Sequence, residues 1–130
     1  PGPPGRGRGG QRYWVATISR VLPPQEYPIF DLPSDHALFR MQYPIKGIPQ
    51  IPSIRLWRPA GSTSEDPPDT HQVHGRGIAD KHGRLMVFMT HNTHIADAWE
   101  REGEDPRYFY EFGPNGYALG INAFIYALTH

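Results

Sequence analysis

Cysteine is absent from the chain. Its absence excludes disulfides, thiolate catalysis and cysteine-ligated zinc or iron–sulfur sites. An excess of either charge is missing too, because thirteen basic residues balance thirteen acidic ones. Without a net positive field the sequence does not favour nucleic acid or an anionic membrane surface. Long apolar runs are also lacking. The longest, Leu85 to Met89, is far too short to span a bilayer, so no membrane insertion is expected. No charged-then-apolar signal segment opens the sequence. Serines occur without a G-x-S-x-G elbow, and Gly75-Arg76-Gly77 is neither a Walker nor a dinucleotide motif. A hydrolase triad and a nucleotide cofactor therefore have no support.

Fifteen prolines and fourteen glycines stand out, and they predict many turns and short elements. Residues 1–12 begin PGPPGRGRGG and read as a flexible Gly/Pro/Arg-rich leader; residues 13–130 read as a single α/β domain. Trp14, Val15, Ile18, Val21 and Leu22 share one helical face, which Pro23-Pro24 ends. Tyr27 to Leu32 reads as extended. Ser34 or Asp35 is a candidate cap for a short helical turn carrying Ala37, Leu38 and Phe39. Pro44 to Pro52 is too proline-rich for a helix or a central strand, and is expected along the surface or a sheet edge. Ile54 to Arg58 reads as a short strand.

Asp80-Lys81-His82-Gly83 has good turn chemistry between Val73–Ala79 and Arg84–Thr90, which predicts a β-hairpin. Leu85 to Met89 is apolar at every position, as expected of a strand covered on both faces. Asp97 to Glu102 reads as a short helix or turn. Tyr117, Ile121, Phe124, Ile125 and Leu128 mark a C-terminal amphipathic helix opened by Pro114-Asn115-Gly116. Asn122 within it is expected to hydrogen-bond neighbouring backbone.

Two constellations carry candidate chemistry. His91 and Asn92 follow the apolar strand, with Asp97, Trp99, Glu100 and Arg101 a few residues on. Ligands of open α/β sheets bind at the carboxyl ends of strands, so these residues form a candidate pocket for a small molecule or carbohydrate. Trp99 would supply a stacking wall. The structural alternative is a capped turn with Trp99 in the core. The second constellation is His71, His74, His91 and His94, two pairs at three-residue spacing. If the hairpin aligned the pairs, imidazoles would converge to hold a divalent transition metal, zinc or copper. Solvated surface histidines are the more ordinary reading, and no cofactor is certain. Asp35-His36 reads as a cap rather than an acid–base pair, and Glu102 to Asp105 as a solvated charge run.

Longer phrases carry a family resemblance. RVLPPQEYPIFDLPSDHALF (20–39), IPQIPSI (48–54), GIADKHGRLMVFMTHNT (77–93), DAWEREGEDPRYF (97–109) and GYALGINAFIYALTH (116–130) resemble the bacterial family called domain of unknown function 4159. Where the family's phrase more usually continues HNTD, this chain has His94. The resemblance implies a partial flavodoxin-like, glutamine-amidotransferase-like layer architecture with a β-hairpin and a C-terminal helix. It also implies that the chain is the C-terminal part of a longer family domain with an exported or envelope-associated location. No activity comes with it. The expectation is a ligand-binding or scaffold domain; the alternatives are a histidine-ligated hydrolytic or oxidative metalloenzyme and a homo-oligomer pairing an uncovered sheet edge or face.

Overall fold

A computed structural model describes residues 7–60, 72–100 and 103–130 of the chain. Helix α1 spans Gly7–Ile18, followed by strand β1 at Phe30–Asp31, a single 3-10 turn at Ala37–Arg40 and helix α2 at Ile54–Ala60. Strands β2 (His74–Ala79) and β3 (Leu85–His91), helix α3 (Ile95–Glu100) and the long helix α4 (Pro106–Thr129) complete the order. The three strands form one antiparallel sheet in the order β1-β2-β3. The architecture is a small α/β fold.

The hairpin forms as its turn chemistry demands. The Asp80 carboxylate accepts from the backbone N–H groups of His82 and Arg84, both at 2.9 Å, and Gly83 supplies a φ of 82° that suits a residue without Cβ. Chiefly the Arg84 N–H, and also that of His82, holds the Asp80 carboxyl below its ordinary pKa. Ile78 pairs with Val87 but Ala79 pairs with Leu85, so Met86 is an extra residue in β3. That bulge brings Leu85 and Phe88, three residues apart, onto one cluster with Leu38, Phe39, Leu119 and Tyr126. The expectation that Leu85 to Met89 is covered on both faces is corrected. Among the described strands β3 lies at the sheet edge, none of its residues is fully buried, and Met86 is exposed.

Helix α4 organises the rest. Its N-cap is Asp105, whose carboxylate accepts from the N–H groups of Arg107 and Tyr108, and Pro106 occupies the first turn where its missing N–H costs nothing. These bonds, that of Tyr108 first, hold the Asp105 carboxyl below its ordinary pKa. The helix therefore starts well before Pro114, which lies inside it rather than opening it. Its buried side presents Tyr108, Phe112, Leu119, Asn122 and Tyr126. Tyr108 and Phe112 join Ile51, Ile54 and Ala98 in a second core cluster. As expected, Asn122 serves backbone. Its side-chain oxygen accepts from the N–H groups of Gln42 and Tyr43, both at 2.9 Å, and its Nδ2 donates to the Tyr43 carbonyl at 2.8 Å.

Four further expectations are corrected. Ile54 to Arg58 is helical, because Asp97 and Ser53 side chains accept from Ile54 and Leu56 N–H groups at its start. Ile54 and Trp57, one helical turn apart, then meet the same core cluster. The 3-10 turn is capped by His36, not by Ser34 or Asp35, with Nδ1 accepting from the Leu38 N–H at 3.1 Å. Burial chiefly lowers the His36 pKa, with His130 acting in the same direction and Asp35 opposing. Finally, Pro44 to Pro52 does not stay at the surface throughout, because Ile51 and Pro52 are among the most buried residues. Helix α1 begins upstream of Tyr13 and ends at Ile18, so Val21 lies beyond it and is exposed.

Candidate functional site

The strand-end residues converge with the 49–54 segment. Asn92 adopts φ 59°, a left-handed conformation that asparagine tolerates better than most residues, and it turns the chain sharply out of β3. Thr93 then bridges two backbone groups. Its hydroxyl donates to the Pro49 carbonyl at 2.7 Å and accepts from the Ile51 N–H at 2.8 Å. The His94 N–H donates to the Ile51 carbonyl, and the Asp97 carboxylate accepts from the Ile54 N–H at 3.2 Å. Thr93 and Asp97 are thereby latches that hold the buried Ile51–Ile54 stretch. Glu100 is exposed at the end of α3. Arg101 lies outside the described residues.

Of the histidines, His74 and His91 are directly paired across the hairpin, with ring centroids 6.0 Å apart and planes 30° from parallel. The alignment of the two strands thus places one member of each spaced pair side by side. His94 follows in the turn held to Ile51, and His71 lies outside the described residues. Among the described residues no group of three or more potential ligands is arranged to hold a metal ion.

Trp99 belongs to a different surface. Its indole N–H donates to the Gly116 carbonyl at 2.8 Å, so the polar end of the ring is turned into the α3–α4 contact. Close approach of the two helices needs glycine at two points. A Cβ on Gly116 would lie 2.7 Å from the Ala98 Cβ, and one on Gly120 would lie 2.7 Å from Trp99 Cζ2. The carbon edge of Trp99 then forms one wall of an open groove of about 380 Å³, lined also by Tyr117, Gly120, Ile121, Phe124 and Ile125. The lining is carbon almost throughout.

This groove is part of a longer stripe. Tyr110, Pro114, Tyr117, Ile121, Phe124 and Leu128 recur at alternating steps of four and three residues, which places them on one side of α4, opposite its buried side. Phe124 is 69% exposed, Leu128 73% and Tyr110 79%. From Phe112 to Thr129 the helix carries no charged residue. A helix that is apolar all round is ordinarily covered all round. The C-terminal amphipathic pattern is therefore real, but the face named by Tyr117, Ile121, Phe124, Ile125 and Leu128 points outward rather than into the core. A second apolar set, Tyr108, Phe112, Leu119 and Tyr126, is also readable in the sequence, and the contacts with the rest of the chain decide between the two sides. No helix among the described residues is long and apolar enough to cross a membrane.

A family model described as a domain of unknown function (DUF4159) matches residues 5–128, nearly the whole chain, and the chain belongs to that family. No curated protein and no solved structure matches it.

Proposed function

We propose that this family member is a non-catalytic binding or scaffold domain whose contact surface is the apolar groove between Trp99 and α4. The observation that carries the reading is the stripe of exposed apolar side chains around that groove, on a helix face without a single charge. Trp99 lines this groove, whereas His91, Asn92, Asp97 and Glu100, expected beside it from sequence, are not part of the lining. The groove lining suits an apolar ligand or protein surface better than a carbohydrate, which would need hydrogen-bonding groups beside the aromatic wall. Titration with an apolar fluorescent dye tests the reading. Saturable binding by the native chain, lost in Phe124→Glu, is the expected result; equal binding by both would overturn it.

The His74–His91 pair favours a second reading, a histidine-ligated divalent zinc or copper ion with His71 and His94 as further donors. Such an ion would support hydrolytic or oxidative chemistry at the open end of the hairpin. Metal analysis of untagged, chelator-free protein decides it. About one ion per chain, lost on mutating His74 and His91 together, supports a metalloenzyme; metal-free protein that takes up neither ion on titration removes that reading.

A further inference from the structure

Among the described residues two helical surfaces are left largely uncovered, and they are complementary. One is the α4 stripe with its groove. The other is α1, an amphipathic helix with Trp14, Val15 and Ile18 on one side. Among the described residues α1 packs extensively against no other helix or strand, and Trp14 remains 40% exposed. Own-chain α1 does not fill the groove, whose lining comes from α3 and α4 alone and which stays open with α1 in place.

The alternating four-and-three spacing of the α4 stripe is the pattern that receives another helix, since it keeps successive side chains in line along one seam. Charge indicates which helix. Residues 1–25 carry Arg6, Arg8, Arg12 and Arg20 and no acidic residue, whereas residues 95–111 around the start of α4 carry six carboxylates against Arg101 and Arg107. Some of those carboxylates are engaged locally, Asp97 on α2 and Asp105 on α4. Glu100 and Glu111 are exposed beside the stripe. A neutral chain thus divides into a basic, amphipathic helix and an acidic region flanking an apolar seam.

From this we infer that the occupant of the groove is α1 of a second copy of this chain. Trp14 of each copy enters the partner's groove against the carbon edge of Trp99 and beside Tyr117, Ile121 and Phe124. The exposed Arg12 beside Trp14 lies toward Glu100 and Glu111. Reciprocal exchange gives a closed dimer with two equivalent contacts. The inference rests on the binding-groove reading and names its partner.

Sedimentation velocity across a concentration series tests it, with the folded state of each variant checked by circular dichroism. The native chain should sediment as a species of two 14.8 kDa chains at high concentration, more weakly at high salt. Trp14→Glu and Phe124→Glu should each weaken self-association on the order of thirtyfold, as for loss of an aromatic anchor. The two variants mixed should recover a heterodimer, because one keeps an intact groove and the other an intact α1. A native chain that stays monomeric, or a mixture with no more dimer than either variant alone, overturns the inference. If the native chain is monomeric yet binds the apolar dye in a manner lost in Phe124→Glu, only the choice of partner fails. If dye binding is also unaffected, the groove reading fails with it.

Discussion

The two sides of α4 are both apolar, yet they differ in what they serve. The inner side carries Asn122 at 0% exposure with three hydrogen bonds to the Gln42–Tyr43 backbone, flanked by Leu119 and Tyr126 in the core. The outer side carries Tyr117, Ile121 and Phe124 around an open groove, and it contributes to neither core cluster. Side chains that hold the fold are buried with their polar groups satisfied, while those left over in spite of their hydrophobicity mark a contact surface. Apolarity alone does not separate the two sides; the Asn122 hydrogen bonds and the core clusters do.

The strongest way to break this comparison is at Asn122. Replacing it by alanine leaves two backbone N–H groups and a carbonyl without their partner, and should cost about 2–4 kcal/mol in urea unfolding. Phe124→Ser, on the outer side, should change stability by less than about 0.5 kcal/mol. A comparable loss from both would erase the distinction between the sides.

The glycines at the α3–α4 contact sharpen it further. Gly116→Ala forces a Cβ against Ala98 in the buried contact and should cost about 1–3 kcal/mol in thermal unfolding. Gly120→Ala pushes instead on Trp99, which is half-exposed and has room to move. Its stability loss should be smaller and its loss of dye binding larger.

The smallest expected effect concerns pH. His36 caps the 3-10 turn through an unprotonated Nδ1 and titrates below its ordinary value of 6.5 in the fold. Between those two values the unfolded chain holds more protons, so the His36 contribution is present above pH 6.5 and is lost as pH falls from there through the lower folded value. Chemical denaturation between pH 7.5 and 5 should show that loss, and His36→Asn, which retains a capping oxygen, should flatten it.

Much of this was legible in the sequence where local chemistry decides the outcome. Asp80 to Gly83 specified the hairpin turn, and Asn122 in an apolar helix announced a backbone partner. What was not legible depends on neighbours distant in the chain. Ile54 to Arg58 looks extended until Asp97, some forty residues later, is seen capping it. The Leu85 to Met89 run gives no hint of the bulge at Met86 that turns Leu85 and Phe88 to one cluster. The period of the last helix was readable from Tyr117 to Leu128, but not which side meets the core, since that is settled by Leu38, Phe39, Ile51 and Ala98. Of the strand-end residues, Trp99 reaches the groove, whereas Asp97, a candidate ligand group by its charge, caps α2 instead.

The most direct test of the account pairs one residue from each role, Thr93 and Phe124, in a single measurement of dye affinity and thermal stability. Thr93→Val removes both bonds to the Pro49–Ile51 backbone and should lower stability by about 1–3 kcal/mol with dye affinity unchanged. Phe124→Glu should abolish dye binding with stability unchanged. If Phe124→Glu destabilises the chain as much as Thr93→Val while dye binding persists, the outer side of α4 is part of the core and the account is contradicted.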